Sequence, residues 1–226
     1  MIAKSILSAA AVTIGLAAAM PANAALILIG PGEIGGSGLG TVATVLTIQS
    51  PANSISESGS VSFNGTTDVI TGDALTGASQ TRTRTLAEIG SPTTSDFRLV
   101  FNAAEPAGNS ITLTALTLNV YGTSGNLLYT TSFTDVPKTF AETFVGTGTS
   151  GYIFGFDATS IADAAAAFSN PLNRIGLFAS ATNATGGNET FFIGAAPAVA
   201  VPEPMSLALF GAGLLGLGMV RRKQSI

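Results

Sequence analysis

The sequence predicts an all-β protein: an antiparallel β-sandwich of jelly-roll type with one short helix, flanked by an N-terminal signal helix and a C-terminal transmembrane helix. Three observations carry this expectation. Apolar residues recur at every second position through much of the interior, the spacing that places alternate side chains on one face of a strand. Glycine-rich turn segments separate those runs. Only one interior stretch has the form of a helix.

Strands are expected first at Val42 to Ile48 and Ser60 to Phe63. Phe97, Leu99 and Phe101 then share a face against Arg98 and Asn102. In the next run Ile111, Leu113 and Ala115 keep odd phase while Leu116, Leu118 and Val120 keep even phase. One extra residue near Ala115, a β-bulge in a single long strand, explains the switch. Gly122 to Asn126 has hairpin-loop composition and leads into Leu127 to Thr134, where Leu127, Tyr129 and Phe133 share a face. Tyr152, Phe154 and Phe156 form another face, and strands are expected at Arg174 to Ala179 and Thr190 to Ile193. The helix is read from Ser160-Ile161-Ala162-Asp163, a capping box with Asp in place of Glu, followed by Ala164 to Phe168 and stopped by Asn170-Pro171.

Composition excludes several chemistries. Of 226 residues 46% are hydrophobic and 10% charged, and Cys, His and Trp are absent. A disulfide framework, a zinc finger, a thiol nucleophile and a Ser-His-Asp triad are therefore ruled out, and a metal could be held only through oxygen. Residues 25 to 200 contain five cations (Arg82, Arg84, Arg98, Lys138, Arg174) against twelve acids, a net charge of −7. Such a body repels nucleic acid, whose binding depends on Lys and Arg neutralising phosphates. These residues are enough for one core without disulfides, so one domain, 25–200, is expected between two terminal segments.

Residues 1–24 read as a secretory signal peptide. Lys4 precedes the apolar run Ile6 to Ala19, and Ala22-Asn23-Ala24 puts small residues three and one before a cut ahead of Ala25. The alternative is a buried helix or an uncleaved anchor. At the other end, residues 201–226 contain Pro202-Glu203-Pro204, the uncharged run Met205 to Val220, and Arg221-Arg222-Lys223. Sixteen helical residues reach about 24 Å against a hydrocarbon core of about 30 Å, a marginal span. The terminal cations hold the tail in the cytoplasm by the positive-inside rule. Gly211, Gly213, Gly216 and Gly218 would let a second helix approach closely.

Pro202-Glu203-Pro204, the glycine-rich apolar run and Arg221-Arg222, in that order at the C-terminus, resemble the PEP-CTERM sorting signal of Gram-negative bacteria. The resemblance implies export, a transient stay in the inner membrane, and recognition by an exosortase, an integral-membrane transpeptidase-like enzyme that cuts near the tripeptide. It also implies an association with exopolysaccharide or biofilm matrix at the cell surface. The alternative is a permanent single-span anchor with Pro-Glu-Pro as a stiff stalk. Residues Gly151 to Gly194 resemble the body domain of other proteins carrying this signal, and no activity comes with that likeness.

Other motifs point to less. Gly30-Pro31-Gly32-Glu33-Ile34-Gly35 fits G-x-G-x-x-G after an apolar run, but Gly36-Ser37-Gly38-Leu39-Gly40 cannot begin the helix a dinucleotide needs. A flexible glycine loop is expected there, and no nucleotide cofactor. Asp135, Glu142 and Asp157 lie near strand ends and read as solvated turn acids, with a carboxylate pair for glycoside hydrolysis as the rival use. Calcium is conceivable at unspecified acids, although no D-x-D-x-D-G array occurs. Thr81-Arg82-Thr83-Arg84-Thr85 and Thr112-Leu113-Thr114 read as edge or solvent-facing strand residues. Asn64, Asn183 and Asn188 fit the N-x-[ST] acceptor pattern. The function expected is non-enzymatic binding or scaffolding at the surface or in exopolysaccharide, with a carbohydrate-active hydrolase or lyase as the alternative.

Overall fold

The computed structural model describes residues 25–33, 42–77, 79–142 and 150–196. The expected signal peptide, with Ala22 and Ala24 of its expected cleavage site, and the whole C-terminal segment 201–226 lie outside the described residues, while Ala25 begins the first strand. Among the described residues, no helix is long and apolar enough to cross a membrane.

Among the described residues, twelve strands form the body: β1 (Ala25–Glu33), β2 (Ala43–Ile48), β3 (Ser56–Phe63), β4 (Asp68–Gly72), β5 (Arg84–Thr85), β6 (Phe97–Asn102), β7 (Ser110–Tyr121), β8 (Leu127–Phe133), β9 (Lys138–Ala141), β10 (Ser150–Phe156), β11 (Arg174–Thr182) and β12 (Glu189–Ala195). Between β10 and β11 come two short helices, α1 (Ala158–Asp163) and α2 (Ala165–Phe168). Hydrogen bonds join the strands into one sheet in the order β2-β12-β6-β10-β1-β8-β7-β11-β3-β4, with β5 added to β11 and β9 to β7. The sheet curls until its two ends meet: Ile48 at the end of β2 bridges Ala74 just past β4, and Leu75 N–H donates to Thr47 O.

The all-β expectation is met, with one departure from a purely antiparallel sheet. β1 and β8 pair in parallel through Ala25↔Ser132 and Leu26↔Phe133. This short contact joins the two halves of the sheet, and one apolar core draws on both, with Leu46, Leu99 and Phe191 from one side and Val61, Leu113 and Leu177 from the other.

Local sequence accounts for most of the elements. Along β7, Ile111 and Leu113 are buried in odd phase and Leu116, Leu118 and Val120 in even phase. The phase changes because Ser180 pairs with Ala115 and Ala181 with Leu113, leaving Thr114 as the extra residue. A second bulge, between Val120 and Tyr121, explains a departure: Leu127 was expected to share a face with Tyr129 and Phe133, but stands 53% exposed. The loop Gly122–Asn126 closes the β7–β8 hairpin through Gly122 N–H to Asn126 O.

Three expectations need correction. Of the glycine segment expected as a loop, residues 30–33 are strand: β1 continues through Glu33 against β10, with an irregularity between Leu28 and Gly30 where Gly30 takes φ +143°, a conformation suited to glycine, while residues 34–40 lie outside the described residues. Neighbouring strands run antiparallel or briefly parallel there, so no βαβ unit forms around Gly30 and Gly32. The helix also starts earlier than the capping-box reading placed it. Asp157 is the N-cap of α1, accepting from Ser160 N–H at 2.6 Å, while Ser160 Oγ donates to Ala25 O. Finally, Thr81 and Thr83 are buried, not solvent-facing. Thr83 Oγ1 donates to Asp68 and accepts from Arg174 Nε at 2.7 Å, so these threonines form a polar seam where the ends of the sheet meet.

Candidate functional site

Two features of the body stand out, one on its surface and one sealed inside. The first is the outer face of β4, β3, β11, β7 and β8. In β11 the residues Ile175, Leu177, Ala179 and Ala181 fill the core, which turns Arg174, Gly176, Phe178 and Ser180 outward. Register then places Phe178 between Ser60 of β3 and Thr117 of β7, and Gly176 beside Asn119. The rows continue to Thr71 on β4 and to Thr130 and Ser132 on β8.

The hydroxyls of this face are tied to one another across strands. Ser60 Oγ lies 2.7 Å from Thr71 Oγ1, Thr117 Oγ1 lies 2.9 Å from Ser132 Oγ, and Thr114 Oγ1 donates to Ser180 O at 3.0 Å. Phe178 stands among them 37% exposed. Gly176 leaves room for an aromatic ring, since a Cβ there would lie 2.8 Å from Tyr121 Cε2. Burial raises the Tyr121 pKa above the usual phenol value, with hydrogen bonds to Asn119 and Ser62 opposing that shift. Arg174 closes the end of the face, its guanidinium 4.7 Å from the centre of the Phe63 ring and hydrogen bonded to Thr83. The five-strand face is thus hydroxyl, amide and aromatic in character, with the Arg174 cation already engaged.

The second feature is a cluster of buried carboxyls where the β2–β3, β6–β7 and β11–β12 connections converge. Glu57, Glu105 and Glu189 are 2%, 0% and 0% exposed. Glu105 is satisfied: it accepts from Thr185 N–H at 3.0 Å and from Thr185 Oγ1 at 2.7 Å. Glu57 and Glu189 face each other. Ser50 Oγ donates to Glu57 Oε2 at 3.5 Å, while Glu57 Oε1 and both Glu189 oxygens have no other partner. Burial, followed by the facing Glu57 and the charge of Glu105, pushes the Glu189 pKa up to about 10. Glu57 is raised too, chiefly by burial.

The acids singled out from sequence play separate local parts. Asp135 pairs with Lys138, Glu142 Oε1 accepts from Gly108 N–H at 2.9 Å, and Asp157 caps α1. The structure does not bring them together as a carboxylate pair. Among the described residues, no group of three or more acids is arranged to hold a metal ion. Of the three candidate acceptor residues, Asn64 Oδ1 accepts from Thr66 and Thr67 N–H in the β3–β4 turn, Asn183 takes φ +63° just past β11, and Asn188 directly precedes β12. Sequence reasoning missed Glu57 and Glu189. The available signal was their phase, since Glu57 alternates with Val61 and Glu189 with Phe191 and Ile193 on core-facing positions.

The architecture is that of an all-β body followed by a distinct C-terminal segment. Residues 200–223 match the PEP-CTERM protein-sorting motif. The chain therefore carries a PEP-CTERM signal, which marks it for export with exosortase processing and transient anchoring in a membrane. Pro202, Glu203, Pro204, Arg221 and Arg222 all fall within the matched span. No curated protein matches the chain significantly. Two solved structures align with it: that of the infectious bursal disease virus Gx strain, at 11% identity and TM-score 0.28 over 85% of this chain and 39% of that one, and the D431N mutant VP2 protein of the same virus in derived T=1 particles, at 14% identity and TM-score 0.24 over 82% and 35%. The chain spans well under half the length of either virus chain.

Proposed function

We propose that the protein is a non-enzymatic matrix module: residues 25–200 are a jelly-roll-like sandwich that leaves through the secretory route after cleavage behind Ala24. Arg221, Arg222 and Lys223 keep its tail cytoplasmic until an exosortase cuts near Pro204. The released body then binds or scaffolds exopolysaccharide at the cell surface. The observation that carries the binding half is the outer face around Phe178 and Tyr121, where aromatic rings suit sugar faces and neighbouring hydroxyl and amide groups suit sugar hydroxyls. A net charge of −7 on the body favours neutral over acidic polymers.

The rival hydrolase would need two carboxylates open to substrate. Glu57 and Glu189 are the facing acids of the described body, and both are closed off from solvent, which argues against their meeting a glycosidic oxygen.

Two experiments test the halves separately. Changing Pro202, Glu203 and Pro204 together to alanine is expected to leave an unprocessed, membrane-associated form on fractionation; normal release would remove the sorting half. Phe178→Ala is expected to weaken retention of the exported chain in affinity electrophoresis through matrix polysaccharide by about fivefold, the equivalent of about 1 kcal/mol for one aromatic contact. Unchanged retention alongside normal sorting would remove the binding half alone.

A further inference from the structure

We infer that Glu57 and Glu189 share one proton that latches the three connections at one end of the sheet, holding in acidic surroundings and giving way as the medium turns alkaline. The inference is independent of the polysaccharide reading.

It starts from what the fold has buried. Two carboxyls without water or a cation cannot both stay ionised, because desolvation penalises each charge and their mutual repulsion adds to it. The main influences on them, besides each other, are acidic or neutral: Glu105 from the β6–β7 connection, Asp73 just beyond β4, the Ser50 hydroxyl from the β2–β3 connection, and the Glu189 backbone. Among the described residues, no Lys or Arg is one of the main influences on either site. Glu105 and Asp73 also have other donors, since Thr185 binds the first and Ser58 N–H donates to the second at 2.9 Å. The unmet need falls on Glu57 Oε1 and the two Glu189 oxygens. A proton on Glu189 lets it donate to the ionised Glu57, removing one charge and satisfying two oxygens together.

The position of the pair makes it a latch. Glu57 is the second residue of β3, and Glu189 opens β12 opposite Ile48 at the end of β2. Thr185, bound to Glu105, adjoins Ala184, whose N–H donates to Ile55 O. One bonded cluster therefore ties the three connections together, and ionising the pair would load all of them with uncompensated charge.

The sign follows from linkage. An unfolded carboxyl releases its proton near 4.5, while folded Glu189 keeps it up to about 10. Unfolding in that window expels a proton, so stability is fully present below the unfolded value and declines as pH rises toward the folded one. The expected slope is a tenfold loss in the folding equilibrium constant for each pH unit.

The test is thermal melting of the full chain in mild detergent with chelator, from about pH 5 to about pH 9. The melting temperature should fall steadily with pH, and Glu189→Gln should flatten the profile and melt above the wild type at the alkaline end. Because that variant could fail to fold, infrared spectroscopy of the wild type supplies a second measurement: a protonated-carboxyl band should persist at neutral pH. A melting temperature that rises with pH, or the absence of that band, overturns the latch. So does millimolar calcium that abolishes the slope, since a cation and not a proton would then be neutralising the pair.

Discussion

Phe101→Ala is expected to cost about 3–5 kcal/mol, the range for removing a buried phenylalanine. The high end of that range is favoured by where the ring sits. Phe101 is fully buried, stacks on Phe191 at 4.7 Å and 16°, and receives Phe140 edge-on at 5.5 Å. Its ring therefore packs β6 against β12 on one side and β9 on the other, while its backbone pairs with Tyr152 of β10. A cavity here is bounded by strands already fixed in the sheet, so it has little freedom to collapse. Domains of this size hold about 5–15 kcal/mol in all, and the variant should approach marginal stability. Denaturant unfolding would show the midpoint drop with the slope unchanged. Thr71→Ala, on the outer face, should stay within about 0.5 kcal/mol. A Phe101→Ala loss under about 1 kcal/mol would contradict the packing described.

Where one face of a strand is dry and the other wet, the sequence of this chain reads well. The Ala115 phase switch in β7 was visible as a period-two pattern, because each side-chain position there answers a single question of burial, whereas β6, expected to turn Asn102 away from Phe97, Leu99 and Phe101, buries Val100 and Asn102 as well. Legibility stopped where tertiary contact changes that question. Thr81 and Thr83 are buried because the sheet curls far enough for its ends to share a polar seam, a contact between residues more than thirty positions apart, as in Thr81 Oγ1 to Thr47 O. Leu127 is exposed because a bulge displaced it, although its own residue type suits a core. The N-cap is Asp157 rather than Ser160 because the Ser160 hydroxyl is drawn to Ala25 on β1, which no local motif encodes. Glu57 and Glu189 reversed the usual rule that a charged residue in a strand points to water. The sorting segment was legible for a different reason: its signature is the order of residue types along the chain, matched over residues 200–223.

Gly176→Val separates local preference from tertiary constraint. In an isolated strand valine is favoured over glycine by up to about 1 kcal/mol, so propensity alone predicts a more stable protein. The environment predicts the reverse. A Cβ at position 176 would lie 2.5 Å from Val61 O and 2.8 Å from Tyr121 Cε2. Val61 O belongs to a strand in register with β11 and cannot withdraw without disturbing the pairing of Leu177 with Val61. Overpacking of this kind costs about 1–3 kcal/mol, so the net result should be a loss of stability. The Tyr121 ring is the part that can move, and its displacement is separately measurable in a chain with three tyrosines and no tryptophan. In the wild type, burial holds the Tyr121 phenol above its ordinary value. Pushed off the sheet, it should titrate closer to about 10, which ultraviolet absorbance would follow, and retention on neutral polysaccharide should fall with it. A variant more stable than wild type, with its tyrosine titration unchanged, would mean that the ring does not rest over Gly176, and the outer face would lose one of its two aromatic contacts.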